Sequence, residues 1–373
     1  MEQKVSILLG AVSNAAEIPT EGRSLAAVML RRLFSNEFEE FFGKVSCVMC
    51  PGSMSSFNIS LLQLPEEQKE ILKGQIISCV QNEPDKNVRR KVADLAAEVA
   101  RNLTDDDGNN LWPDFLTFLF TMASSPSSDA KEIALHMFAS VPSVFGNQEQ
   151  KYMDVIKNML SSSLTDQTYE VRFGAVKATC NYLLLHDKDN NLQKHFSDVL
   201  GPIMNVTLES VEKQDDDACL KSLIDIAETM PKFLRPQLEQ IFALCLKMIG
   251  NQDLEENWRH LALEITVTTA ETAPAMVRKV VGGSVGPLVQ ACLQMMCDLE
   301  EEDDLAVSDE PQVKLKNQHQ NLQYDDKPSG GMILKIQKDV YKTSDNNNEP
   351  FIKFCSELFV IDIMLMIIAG GGQ

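Results

Sequence analysis

The sequence predicts an all-α protein in which antiparallel helix pairs stack into a solenoid, and three observations predict it. First, a cationic residue followed three positions later by a small one recurs at the start of apolar stretches. The copies are Arg23–Ala26, Arg90–Ala93, Lys131–Ala134, Arg172–Ala175 and Arg259–Ala262, with a weaker one at Asp217-Ala218-Cys219-Leu220. Second, anchored on Arg90, Lys131, Arg172, Cys219 and Arg259, the steps are 41, 41, 47 and 40 residues. That is the period of HEAT or armadillo repeats. Third, no strand-like alternation of convincing length interrupts the pattern. One such repeat cannot bury its own apolar face. Stacked neighbours must bury it, giving an armadillo-type superhelix of about six repeats.

The elements follow in order. Residues 1–42 hold the first pair, with Arg23–Ala26 on its second helix. Arg23 to Arg90 is 67 residues, and removing Gly43–Ser60 leaves 49, close to one repeat. That stretch, GKVSCVMCPGSMSSFNIS, has no helical period, so residues 43–60 are expected to be an irregular insertion. Residues 61–299 are expected to form the main solenoid. The anchors lie on the second, or B, helix of each pair. Candidate first, or A, helices are Trp112–Met122, Gln150–Ser162, Val199–Val211, Arg235–Ile249 and Pro287–Leu299. Pro113, Pro202, Pro236 and Pro287 sit near their first turns, where a missing N–H costs nothing. Leu238, Ile241, Phe242, Cys245, Leu246 and Ile249 recur at three and four residues, one buried stripe. The run Asp105-Asp106-Asp107-Gly108-Asn109-Asn110 reads as a break between helices. Residues 300–373 are expected to be an acidic linker and a disordered tail. The tail and the 43–60 insertion are both candidates for translated intron.

Composition narrows the function classes. The formal net charge is −20 over 373 residues. Direct nucleic-acid binding is not expected, because it needs clustered Lys and Arg against phosphates. Basic proteins are better partners. The nine cysteines form no regular framework and no secretory signal is evident, as in a reduced intracellular compartment. The apolar run Phe359–Ala369, interrupted by Asp362, is too short to span a bilayer, so no membrane insertion is expected.

Longer stretches add a resemblance. LAAVMLRRLFSNEFEE (25–40), RRKVADLAAEVARNLTDDDGNNLWPDFLTFLF (89–120), ALHMFASVPSVFGNQEQKYMDVIKNML (134–160), CLKSLIDIAETMPKFLRPQLE (219–239) and LALEITVTTAETAPAMVRK (261–279) are similar to the importin-five branch of the karyopherin-β nuclear transport receptors. The resemblance covers loops and helix boundaries as well as the apolar period, over roughly residues 1–310 apart from the insertion. It implies the first third of a longer HEAT superhelix that starts after the family's first helix. An apolar face is then expected to be exposed at the N-terminal end. It also implies a receptor that works by binding: B helices of N-terminal repeats meet GTP-bound Ran, clefts between A helices hold Phe-Gly motifs of nucleoporins, and the concave face takes basic cargo such as ribosomal proteins or histones. The implied location is cytoplasm, nucleus and nuclear pore. A HEAT scaffold for a cytosolic complex shares the repeat period but not the long loop matches.

Carried over by position, the candidate Ran or partner contacts are Arg31, Arg32, Glu98, Arg101, Asn102, Asp105, Asp106 and Asp107. As ordinary helix-face and turn residues, the same side chains would only be solvated or capping. The run 298–310 has eight carboxylates in thirteen residues, and resembles the start of the family's acidic insertion. Glu300, Glu301, Glu302, Asp303 and Asp304 are the candidate acidic loop, which would compete for basic partners in a salt-sensitive way. No enzyme is expected. Cys47 and Cys50 lack a second Cys/His pair for structural zinc, and the five histidines show no metal spacing. Gly282-Gly283-Ser284-Val285-Gly286 lacks the Lys-Ser/Thr of a phosphate loop. No catalytic residue, metal or cofactor is assigned. Trp112 and Trp258 read as packing residues.

Overall fold

The structure, a computed structural model, describes residues 2–35, 66–105, 107–284 and six residues between 286 and 295. The 43–60 insertion, the 300–373 linker and tail, Asp106 and most of the Pro287–Leu299 helix lie outside the described residues. The chain divides into two compact units, one ending at Phe233 and the other beginning at Leu234.

In the first unit the helices come in pairs. α1 (Glu2–Ser13) lies against α2 (Thr20–Phe34), α3 (Glu66–Asn82) against α4 (Lys86–Arg101), and α5 (Pro113–Ala123) against α6 (Ser128–Ser140). α7 (Glu149–Leu164) lies against α8 (Tyr169–Leu185) and, after the short α9 (Asn190–His195), α10 (Leu200–Lys213) against α11 (Ala218–Thr229). The B helices then stack in register, α2 on α4, α4 on α6, α6 on α8 and α8 on α11. This is the all-α repeat stack that the 40-residue period predicts.

The reason for the spacing is visible in the signature itself. Ala26, Ala93, Ala134 and Ala175 are all buried. A side chain that ends at Cβ lets adjacent B-helix backbones come close. The four cationic anchors of the first unit each reach forward to an acid of the following pair. Arg23 bonds Glu83 at 2.9 Å, Arg90 bonds Glu132, Lys131 bonds Asp166 at 2.6 Å, and Arg172 bonds Glu209 at 2.6 Å. The first of these is fully interior, with side chains 5% and 3% exposed. Arg23 also donates to the carbonyls of Ala15 and Ile18, and Arg172 to those of Asp166 and Gln167. The anchor at the fifth pair is Cys219, buried and uncharged.

Local chemistry sets the ends of the helices. Asp85 caps α4 by accepting from the N–H groups of Asn87 and Val88, and Ser127 caps α6 through Ala130. Pro113 is at the first position of α5, behind Trp112, whose ring is buried against Phe115 at 5.0 Å. The break at 105–110 is more ordered than a simple loop. Thr104 and Asn110 form an isolated antiparallel bridge, closed by Gly108 at φ +77°. A 3-10 turn, Pro142–Gln148, receives this loop, with Asn147 N–H donating to the Gly108 carbonyl at 2.9 Å. Gly146, at φ +52°, sits so close that a Cβ would lie 2.1 Å from that same carbonyl oxygen.

On the first pair Ile7, Leu25 and Met29 are exposed. In the second unit α12 (Leu238–Ile249), α13 (Glu256–Thr272) and α14 (Pro274–Val281) pack on one another. α12 starts three residues later than the Arg235–Ile249 expectation, at the first residue of the apolar stripe. Pro236, with no N–H and a fixed φ, lies in a preceding 3-10 turn, Pro231–Gln237. Ala262 and Trp258 are buried here, and Arg259 Nε donates to the Ile249 carbonyl at 3.2 Å. The Gly-rich stretch begins with another 3-10 turn, Gly282–Ser284.

Candidate functional site: a polar cleft at the ends of three B helices

The C-terminal ends of α2, α4 and α6 converge on a cleft of about 460 Å³. Arg31 enters from α2, Asp94, Glu98 and Arg101 from α4, and Ser140 closes it from α6. These α4 residues fall at 94, 98 and 101, the three-and-four spacing that places them on one helix face. The opposite face of α4, with Val88, Val92, Leu95 and Val99, is buried, so the charged face must point outward.

The helix ends are capped across the repeats. Asn102 Nδ2 donates to the Phe34 carbonyl of α2 and to the Glu98 carbonyl, each at 2.9 Å. Arg101 Nη2 donates to the Ser140 carbonyl of α6 at 2.6 Å, and its Nη1 bonds Glu98. One pair further on, Asn181 of α8 donates to the Ala139 carbonyl at 2.9 Å. The contacts to Phe34, Ser140 and Ala139 reach carbonyls at helix ends, which the helix itself leaves without a donor, while the Glu98 carbonyl also accepts from the Asn102 backbone N–H.

Asp94 is shared between its two neighbours. Its Oδ2 meets Arg31 Nη1 at 3.5 Å, and its Oδ1 meets His136 Nε2 of α6 at 2.7 Å. One carboxylate thus spans three successive B helices. Exposure is uneven: Arg31 and Arg101 are 44% and 49% exposed, Asp94 28% and Glu98 14%. The guanidiniums stand at the mouth and the carboxylates behind them.

Of the residues singled out from sequence, Arg31, Glu98, Arg101 and Asn102 therefore meet in one cleft. Arg32 is exposed on α2 and does not line it. Asp105 has both oxygens engaged within its own loop, accepting from the N–H groups of Asp107 and Asn109 and from the Asn109 side chain. Those bonds, led by the Asn109 side chain, hold its carboxyl below the usual range. Asp107 is exposed, while Asp106 and Glu300–Asp304 lie outside the described residues. Sequence reasoning missed Asp94, His136 and Ser140. The signal that could have found Asp94 is its spacing from Glu98 and Arg101.

Among the described residues, no group of three or more His, Cys, Asp or Glu side chains is placed to hold a metal. Cys79, Cys180, Cys219 and Cys245 are free and buried. Burial pushes the Cys219 and Cys245 thiols up to about 12, so they are poor nucleophiles. No helix of the described residues is long and apolar enough to cross a membrane.

Comparison with known families fixes the lineage. Residues 84–244 match a family model described as IPO5-like TPR repeats, and residues 251–324 match one described as an importin repeat. The chain belongs to the importin-β family. Its importin relatives include a probable importin-5 homolog of Dictyostelium discoideum, 21% identical over 64% of this chain. Importin subunit beta-3 of Saccharomyces cerevisiae is 26% identical over 65% of it. The chain spans 22% and 21% of those relatives' own lengths. Among solved structures, Kap121p bound to RanGTP superposes with a TM-score of 0.63 at 21% identity, over 84% of this chain and 27% of that one. Kap121p bound to Nup53p superposes equally well, with a TM-score of 0.63 at 20% identity. These structures share the importin repeat fold with this chain.

Proposed function

We infer that this chain is a segment of a nuclear import receptor that acts by binding. The cleft between α2, α4 and α6 is its contact with GTP-bound Ran. Basic cargo is held elsewhere on the B-helix side, and nucleoporin Phe-Gly motifs between A helices. It works in the cytoplasm, in the nucleus and at the nuclear pore. The observation that carries this reading is the convergence of Arg31, Glu98, Arg101 and Asn102 on one cleft, although they come from two helices whose sequence spacing alone does not join them. The solved relative Kap121p was captured with RanGTP, which supports the choice of partner. The acidic run 298–310 competes for basic partners, an attraction that salt weakens.

The test is a pull-down of the purified chain with Ran locked in its GTP form, beside the GDP form. Selective retention of the GTP form is expected, and Arg101→Ala weakens it. Equal retention of both forms, or of neither, removes Ran from the reading.

A further inference from the structure

We propose that the cleft receives an acidic segment of its partner, although the chain as a whole is strongly acidic. This rests on the reading of the cleft as a partner surface. The lining has equal numbers of opposite charges, so position decides its character. Arg31 and Arg101 are 44% and 49% exposed, whereas Asp94 and Glu98 are 28% and 14% exposed.

The hydrogen-bond inventory points the same way. A guanidinium carries five N–H donors. Within the cleft Arg31 makes one contact, at 3.5 Å, and Arg101 makes two, to Glu98 and to the Ser140 carbonyl. Among the described residues these contacts engage three of the ten N–H donors of the two guanidiniums. The acceptors are already engaged: Asp94 holds Arg31 and His136, Glu98 holds Arg101 and Asn102, and the Phe34 and Ser140 carbonyls are capped. Asp94 and Glu98 act as positioning residues that aim the two forks, and a carboxylate on the partner can pair with each fork through two parallel bonds. A basic segment would meet two guanidiniums before reaching any carboxylate.

Two probes test this on the full chain, with circular dichroism melts checking that each variant folds. With GTP-locked Ran, Arg31→Gln/Arg101→Gln lowers affinity about tenfold or more, a larger loss than that of Asp94→Asn/Glu98→Gln, which only loosens the aim of the two forks. With a fluorescein-labelled deca-glutamate peptide at low salt, anisotropy shows binding that the same arginine pair abolishes. The opposite order of sensitivity, a loss with Asp94→Asn/Glu98→Gln and none with the arginine variant, overturns the proposal. So does a deca-glutamate peptide that fails to bind or ignores the arginines. If Ran does not bind the unaltered chain at all, the proposed function fails there, while the peptide still decides the chemistry of the cleft.

Discussion

At the scale of single residues, two positions are under unusual constraint. Gly146 combines φ +52° with a backbone approach that leaves no room for a Cβ. Gly146→Ala is expected to cost about 2–3 kcal/mol, combining backbone strain with displacement of the 105–110 loop. Urea denaturation at neutral pH reads this directly, and an unchanged midpoint would show that the loop contact carries no stability. The Arg23–Glu83 pair is the second. Removing the acid leaves a buried guanidinium with only carbonyl partners, so Glu83→Ala is expected to cost about 3–5 kcal/mol. Replacing both by apolar residues of similar size should recover most of that loss, and a double variant no better than the single one would refute the charge explanation. The cation-to-alanine spacing was legible in sequence because it repeats. Asp94 was missed because the repeat period marks only the anchors, and its one local signal was the three-and-four spacing to Glu98 and Arg101. Asp105 could be picked out as acidic, but that its oxygens would be engaged by Asn109 depends on a turn closed by Gly108.

At the scale of elements, the B-helix stack depends on small side chains and on ion pairs between successive repeats. Ala93→Leu should overpack the contacts of α4 and cost about 1–3 kcal/mol. A thermal melt unchanged from the unaltered chain would mean the helices are not closely apposed there. The pairs also predict an acid response. Burial works to raise the Glu132 pKa, but hydrogen bonds and charge from Lys86 and Arg90 outweigh it and hold it low. Asp166 is likewise lowered by Lys131 against burial. Glu209 is lowered chiefly by its bond to Arg172. A carboxylate whose folded pKa is depressed contributes stability that is complete above its unfolded value, about 4, and is lost as pH falls through the lower folded value. Urea midpoints should therefore drop as the pH is taken below about 4, and Glu132→Gln/Asp166→Asn should flatten that drop. An equally steep drop in the variant would place the acid sensitivity elsewhere. Four of the five candidate A helices were legible to within a few residues, since their apolar stripes and leading prolines are local, and the fifth, Pro287–Leu299, lies mostly outside the described residues. The 3-10 turns at 142–148 and 231–237 were not, because Pro sets where a regular helix can start without saying what precedes it.

At the scale of the whole molecule, the period alone was enough for the fold class, since a solenoid repeats one solution. It was not enough for the cleft, which forms where three repeats bring their ends together, and no single repeat contains it. The four ion pairs made by the repeat anchors have a constant sense: the cation belongs to the earlier pair and the acid to the later one. Their separations are 60, 42, 35 and 37 residues, so every tie is between neighbours in the chain. On the ribosome each emerging hairpin carries the anion that its predecessor lacks. The nascent array can therefore lock together vectorially, one click at a time, without waiting for distant sequence to be translated.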